Sequence, residues 1–457
     1  MFLIRYLAFQ RLGAVVIEHA LLVACVLTLR LQTAVPQSYA ASLGTAFVVA
    51  ITFQIFLHLK DVYEFETKPL WAPRFVLRFG QAVFLACSLL LILHQFIPGF
   101  VAAPADFVLL LFLSSFVVTI WHVLLRVYFS VSNRRSKLLI MGTGPLARSL
   151  AREILRHKEL GLSICGFVDD DPALVGVSIV NPKVLGLNTQ LRQIVSENKV
   201  DRVVVELGDR RGRLPVDELL ELKMRGVRIE EATSLYEYVT GKIAIENLKP
   251  SWMIFGDGFE VSRRVLFLKQ VVSFSISLLL FLSFVPLFPL IALLIKLNSP
   301  GPVFYRQERV GHHGKTFTLW KFRSMRQDAE RGTGPVWASL QDTRVTRVGR
   351  FLRRTRLDEL PQLINILKGD MSLVGPRPER PKFVEELSSL IPFYYLRHSV
   401  KPGVTGWAQV NYGYGNTIED SVEKLQYDLF YIKNISCPLD LLVIFNTIKT
   451  VLVRKGS

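Results

Sequence analysis

The chain has 457 residues, half of them hydrophobic, and a formal net charge of +17, with a pI near 9.8 and a mean hydropathy of +0.34. That length suits two or three domains. So basic a balance suits anionic partners, nucleic acid or an anionic membrane leaflet, and the high hydropathy favours the membrane over nucleic acid. The four cysteines, Cys25, Cys87, Cys165 and Cys437, are scattered without metal-ligand spacing, which excludes a disulfide framework and a zinc site.

Four apolar runs open the chain: Leu12 to Leu31, Ala40 to Leu59, Phe79 to Phe96 and Phe107 to Phe129. Each approaches or exceeds the roughly 20 residues that cross a bilayer. The first is not followed by a convincing small-residue cleavage site, so it reads as a helix rather than a signal peptide. Glu18 and His19 interrupt it, and pairing of that acid with a neighbouring helix is expected. Loop charges orient the bundle. Arg5 and Arg11 precede the first run; Lys60, Lys68, Arg74 and Arg78 lie between the second and third; Arg134, Arg135 and Lys137 follow the fourth. The loop from Gly99 to Asp106 has no Lys or Arg. The positive-inside rule then puts both ends of the bundle in the cytoplasm, with Arg30 snorkelling from a helix end.

From Lys137 the character changes. Leu138 to Met141, Ile164 to Val168 and Val200 to Glu206 read as buried strands, and Leu146 to His157 and Leu214 to Met224 as helices. Such alternation predicts a parallel sheet. Gly142-Thr143-Gly144-Pro145 after the first strand begins a dinucleotide fingerprint. The third glycine is replaced by Ala147 and Arg148, so structural or regulatory use is favoured over nucleotide binding. Asp169 to Asp171 suit a ribose, a cation or, better, a solvated turn.

The apolar run from Val271 to Ile295 is long enough to span a bilayer, yet both flanks are basic. Arg263, Arg264 and Lys269 precede it; Lys296, Arg306, Arg309, Lys315, Lys321 and Arg323 follow. Both ends therefore want the cytoplasm. A segment that goes in, breaks at Pro286 and returns satisfies this. Ser283, one turn earlier, is placed to satisfy backbone groups the proline frees.

The stretch Arg350 to Glu379 is where the chemistry is expected. Arg354 and Arg356 flank the adjacent carboxylates Asp358 and Glu359, followed by Gln362, Asn365, Lys368, Asp370 and a rigid Gly375-Pro376-Arg377-Pro378. Two carboxylates among arginines suit a site that handles phosphate. Leu357, Leu360, Leu363, Ile364 and Leu367 recur at helical spacing, which predicts Asp358 and Glu359 on a helix with Arg354 one turn earlier on the same face. An ordinary amphipathic helix with a solvated face has the same charge pattern. His312 and His313, in a glycine-flanked turn, read as exposed loop residues.

This part of the chain resembles the monotopic phosphoglycosyl transferases, the bacterial sugar transferases that start exopolysaccharide and O-antigen repeat units. The matching pieces run in order: Phe304 to Gly311, Lys321-Phe322-Arg323-Ser324-Met325, Leu357 to Leu363, Lys368 to Pro378, Lys401 to Asn411, and Tyr427-Asp428 through Tyr431-Ile432-Lys433-Asn434. The resemblance implies that Asp358 is the nucleophile on the β-phosphate of a UDP-sugar, releasing UMP, and that undecaprenyl phosphate then attacks the sugar-phosphoryl-aspartate. It implies Mg²⁺ as cofactor, with Glu359 and Asp428 as ligands, and Arg354, Arg377, Lys321, Arg323, Gln362 and Asp428 around the phosphates and substrate. It also implies that the middle domain is the Rossmann-like module of the larger members, and that the segment broken at Pro286 is their re-entrant helix. Here the chain departs from the family's Lys-Arg and Asp in the incoming turn. It has Lys269-Gln270 and then Ser273, which shifts weight to Arg263 and Arg264.

These readings give an α/β membrane protein: a four-helix transmembrane bundle over residues 1–131, a Rossmann-like α/β domain over 137–248, and a re-entrant membrane helix plus a mainly helical α+β catalytic domain over 260–457. The expected partners are a UDP-sugar, undecaprenyl phosphate and the bacterial inner membrane, with the catalytic domain on its cytoplasmic face. No nucleic acid is expected, and a homodimer is left open. The motif forms following Arg377, Glu379-Arg380-Pro381 and Asn411-Tyr412, are like the exopolysaccharide branch, with glucose or galactose as the sugar. The competing reading is a non-catalytic membrane scaffold whose middle domain senses a nucleotide.

Overall fold

The computed structural model describes residues 2–32, 39–63, 73–97, 104–132, 136–157, 160–206, 214–245, 259, 262–327, 344–413, 415 and 417–452. Lys68, Arg134, Arg135, part of the Gly99–Asp106 loop and the end of the expected 137–248 domain lie outside the described residues. The chain forms two compact units, Tyr6–Thr240 and Gly241–Ser457 with Met1–Arg5.

In the first unit each apolar run falls within a helix: α1 (Phe2–Gln32), α2 (Tyr39–Leu59), α3 (Pro73–Phe96) and α4 (Pro104–Ser132). Ala41–Leu59, Phe75–Phe96 and Pro104–Tyr128 are each long and apolar enough to cross a membrane, and Gly13–Leu29 is a shorter apolar helix. Leu22, Val26, Val49, Phe53, Ala86 and Leu90 pack inward, while Phe84, Leu91, Phe112 and Phe116 face out, a distribution that suits lipid rather than water. Glu18 is fully buried. Its carboxylate accepts from Tyr63 Oη at 3.0 Å and pairs with His122 Nε2 of α4 at 3.1 Å, the cross-helix partner its burial demands.

The same unit contains a parallel sheet in the order β3-β2-β1-β4-β5, built from β1 (Ser136–Met141), β2 (Leu162–Asp169), β3 (Val184–Leu187), β4 (Arg202–Val205) and β5 (Arg228–Glu231). The interleaved helices include α5 (Pro145–Arg156), α6 (Leu191–Asn198), α7 (Val216–Met224) and α8 (Ala232–Thr240). Apolar side chains of Leu139, Met141, Val168, Val203, Val205 and Ile194 make its core. The inner strands were legible as apolar runs. The edge strands were not, because β3 is short and holds Gly186, while β5 reads Arg228-Ile229-Glu230-Glu231.

The Gly142-Thr143-Gly144 turn joins β1 to α5, where strand order reverses. The backbone N–H groups of Gly144, Leu146 and Ala147 donate at 2.7, 3.1 and 3.3 Å to the carboxylate of Glu206, just past β4. A Cβ on Gly144 would sit 2.5 Å from that carboxylate, so glycine is required there by an internal side chain.

The second unit begins with α9 (Arg263–Phe284), a one-turn 3₁₀ break at Val285–Leu287, and α10 (Phe288–Asn298). Pro286 lies in the break. Ser283 Oγ donates to Leu279 O at 2.8 Å, its own preceding turn rather than a carbonyl the proline frees. Arg263–Asn298 is apolar and long enough to cross a membrane. Both ends are tied to one α+β domain. Lys269 Nζ meets Val374 O at 2.9 Å, Asp440 Oδ2 at 2.6 Å and Tyr431 Oη at 2.5 Å. Leu373 N donates to Ser273 Oγ at 2.6 Å. At the far end Arg323 donates to Ser299 O and Pro300 O, both at 2.7 Å. The anchor of α9 is thus Lys269, not Arg263 or Arg264, which are exposed.

The domain is mainly helical. The antiparallel pair β6 (Phe304–Val310) and β7 (Thr316–Phe322) precedes α11 (Arg347–Arg354) and α12 (Gln362–Lys368). Then come β8 (Ser372–Val374), α13 (Pro381–Leu390), β9 (Gly403–Thr405, parallel to β8), α14 (Trp407–Asn411), α15 (Ile418–Lys433) and α16 (Cys437–Leu452). Leu425, Leu429, Phe430, Tyr431 and Ile432 of α15 are all buried. Such a helix, apolar on most sides, is a core helix. Trp407 belongs to the same core, stacked on Phe430.

Candidate active site

α11 starts at a Thr346 cap, whose Oγ1 accepts from Gly349 N at 2.9 Å, and ends at Arg354. Arg356 adopts a left-handed backbone, φ 58°, ψ 13°, and Leu357-Asp358-Glu359 form a separate 3₁₀ turn. This overturns the continuous helix expected from the leucine spacing. The apolar period runs through the break because the turn packs Leu357 and Leu360 on the cluster that also takes Leu352. The break re-aims the arginines. Arg353 and Arg356 join Lys321 in the positive field at Asp358, while Arg354 is exposed.

Glu359 is the hub. Its Oε1 lies 2.7 Å from Arg377 Nη2, 3.2 Å from Lys321 Nζ and 3.8 Å from Arg356 Nη1. Burial alone would raise its pKa, but Arg377, Lys321 and Arg356 overcome burial and hold it below the usual carboxylate range. Asp358 goes the other way. Burial and then the neighbouring Glu359 charge push it up, against Lys321, Arg353 and Arg356. Its Oδ1 is buried without a hydrogen-bond partner. Two adjacent carboxylates with pKa values driven apart suit distinct tasks, and a buried unpaired acceptor suits a ligand or reactant.

Arg377 is held on both sides. Its Nη1 donates to Gln409 Oε1 of α14 at 2.8 Å, and its carbonyl accepts from Arg397 Nη2 at 3.0 Å. Arg397 is buried and reaches Asp428 Oδ2 at 2.8 Å and Tyr394 Oη at 2.6 Å. Burial pushes Asp428 up to about 6 in spite of Arg397. Arg309 Nη1 holds Pro378 O at 2.9 Å, which fixes the segment beyond Arg377. The turn is rigid because Gly375 packs against the Gly403 backbone: a Cβ on Gly375 would lie 2.4 Å from Lys401 O.

The expected site residues therefore separate. Asp358, Glu359, Lys321 and Arg377 come together. Asp428 stands behind Arg377, committed to Arg397. Arg323 clamps the turn after α10, and Gln362 is buried at the first position of α12. The His312 and His313 rings touch at a tilt, and His312 Nε2 lies 3.1 Å from Ser399 O. Sequence reasoning assigned no role to Arg353, Arg397 or Gln409. Gln409 lies inside the matched Lys401–Asn411 motif, the available signal; Arg353 differs from Arg354 only in the break that follows.

For a divalent cation, no group of three or more His, Cys, Asp or Glu is found among the described residues. The two carboxylates with a free Asp358 oxygen fit Mg²⁺, which takes one or two carboxylates and completes its shell with water and substrate phosphate.

A mainly helical α+β domain with a buried Asp-Glu pair among cations, carried on a broken apolar helix, is the frame of a membrane-bound phosphate-handling protein. Residues 264–454 match the model of the bacterial sugar transferase family, and this chain belongs to that family. It is 44% identical over 221 residues to a UDP-N-acetylgalactosamine-undecaprenyl-phosphate N-acetylgalactosaminephosphotransferase of Aeromonas hydrophila, covering 48% of this chain and 51% of that one. It is 34% identical over 328 residues to an undecaprenyl-phosphate glucose phosphotransferase of Komagataeibacter xylinus, covering 70% and 60%. It is 41% identical over 197 residues to an exopolysaccharide production protein of Rhizobium leguminosarum bv. phaseoli, covering 41% and 97%. The match spans about half the length of the Aeromonas relative.

Proposed function

We propose that the chain transfers a hexose-1-phosphate from a UDP-sugar to undecaprenyl phosphate, giving undecaprenyl-diphospho-sugar and UMP. The observation that carries this is the unpartnered Asp358 oxygen beside a Glu359 held ionised by Lys321 and Arg377. Asp358 attacks the β-phosphorus, the bond to the UMP oxygen breaks, and UMP leaves. The polyprenyl phosphate oxygen then attacks the phosphoryl-aspartate and frees the carboxylate. One displacement between anions becomes two. Lys321, Arg353, Arg356 and Arg377 balance the charge on the phosphoryl oxygens. Gln409 and Arg397 keep Arg377 in place. Glu359, with Asp358, would hold Mg²⁺, which supplies further neutralisation of the diphosphate. The sugar is glucose or galactose on motif form; the Aeromonas relative's name carries N-acetylgalactosamine.

The broken segment α9–α10 goes in and out on one membrane face. The support is that Lys269 and Ser299, near its two ends, both bond to the same domain. The active site then faces the cytoplasm, where nucleotide sugars are. The strand order of the sheet supports a Rossmann-like domain. The competing nucleotide-sensing scaffold loses its main support at Glu206, which takes the N–H groups a phosphate needs.

The test is UMP release by purified protein given a panel of UDP-sugars, Mg²⁺ and undecaprenyl phosphate. Release with at least one sugar is expected, with ping-pong kinetics. Asp358→Asn should abolish turnover and leave no radiolabelled sugar-phosphate on the protein. No UMP from any UDP-sugar would sink the enzyme reading.

A further inference from the structure

We propose that the outer face of α11 binds anionic phospholipid headgroups of the bilayer that holds α9–α10. This rests on the membrane placement of α9–α10 given above. At 3.6 residues per turn, Arg347, Arg350, Phe351 and Arg354 fall within an arc of about 100°. All four are exposed, Phe351 by 56%. The opposite side of the helix, with Gly349 and Leu352, is buried. Leu352 and Val348 pack with Ile291 and Ile295 of α10, and Val348 N donates to Asn298 Oδ1 at 3.1 Å.

Those contacts set the depth. Asn298 is the last residue of α10, where the helix leaves the apolar layer. At 1.5 Å per residue Ile291 lies about 10 Å further along the axis. α11 is thus fastened beside the last two turns of an apolar helix whose Leu290, Leu293 and Leu297 are exposed, at the level of the headgroups. A short helix with arginines around one exposed aromatic, fixed at that depth, has the form of an interfacial anchor. The guanidinium groups fit phosphodiesters, and the ring fits the boundary between headgroup and acyl chain. Arg354, turned away from Asp358 by the break at Arg356, has its task here.

The probe is the full chain in nanodiscs of phosphatidylcholine with or without phosphatidylglycerol. An environment-sensitive fluorophore is placed at Phe351→Cys, or at Leu293→Cys as the membrane reference, in a background lacking the native cysteines. The expected result at position 351 is a blue shift with phosphatidylglycerol, quenching by a headgroup spin-labelled lipid, and protection from aqueous iodide. Adding R347Q and R350Q together should weaken the phosphatidylglycerol dependence by roughly 25-fold, since each arginine near an anionic surface changes partition by roughly fivefold. Iodide quenching at 351 equal to that in detergent, with Leu293→Cys lipid-quenched, would overturn the proposal and leave the membrane placement standing. Absence of lipid quenching at Leu293→Cys would overturn both. Equal burial at 351 in both lipids, indifferent to R347Q and R350Q, means apolar insertion alone and overturns the headgroup assignment. Protection from iodide and lipid alike means a protein covers the face, which also overturns it.

Discussion

Asp358 must be ionised to attack phosphorus, and its surroundings raise its pKa. The acid limb of kcat/KM should therefore lie above the ordinary aspartate value of about 3.9, with activity lost as pH falls through it. Arg353 is one of the cations opposing that rise. Removing its charge with Arg353→Gln should move the limb to higher pH. Arg354→Gln should leave the limb's position unchanged, because Arg354 is exposed beyond a broken helix. The measurement is the pH profile of UMP release for both variants. A limb that follows Arg354 instead would restore the continuous helix read from the sequence. That reading failed for a specific reason: the hydrophobic period cannot register one left-handed residue, Arg356, when leucines on either side share a cluster. The composition of the site was legible nonetheless, since Asp358, Glu359, Lys321 and Arg377 all sit in matched motifs. Its second layer was not, because Arg397 with Asp428 is a tertiary pair with no local pattern.

The elements were legible in proportion to their length and apolarity. The long membrane helices and the inner strands announce themselves, whereas the edge strands and the anchor of α9 do not. Lys269 and Asp440 lie 171 positions apart, and nothing in the sequence links them. Their burial makes the pair sensitive: Lys269→Met strands a buried Asp440 charge and should cost about 3–5 kcal/mol. Thermal unfolding in detergent would show it, and adding Asp440→Asn should recover part of the loss. An additive double variant would mean the two side chains do not interact. In the middle domain, Glu206 caps the first turn of α5 with three backbone donors. Glu206→Ala should cost about 0.5–2 kcal/mol, the usual worth of a helix N-cap, with the favourable charge at the helix N-terminus lost as well. The same cap occupies the backbone donors that a nucleotide phosphate would need at this glycine turn. Millimolar nucleotide should not raise the unfolding temperature of the wild-type protein, since only ligands that bind the folded state do so.

At the scale of the molecule, the question is which side of the membrane receives the catalytic domain, and α9–α10 decides it. A straight helix of the 36 residues in Arg263–Asn298 would be about 54 Å long at 1.5 Å per residue. Its ends would then lie further apart than the roughly 30 Å hydrocarbon core is thick. Here Lys269 and the turn after Asn298 are instead fastened to one domain, through Val374 and Arg323. A 3₁₀ break at Val285–Leu287 interrupts the segment, as the proposed in-and-out course requires, and Phe288 beyond it lies edge-on to Phe322 of β7. The basic flanks point the same way, since Lys and Arg on both sides favour the cytoplasm for both. Single cysteines at Ser262 and Lys315, both exposed, sit on either side of the segment. In a background without the native cysteines, both should be shielded from an impermeant thiol reagent in intact cells and label after permeabilisation. If Lys315→Cys labels from outside while Ser262→Cys does not, the segment spans the bilayer. The Asp358 site would then stand in the compartment without nucleotide sugars, and the proposed reaction would have no donor.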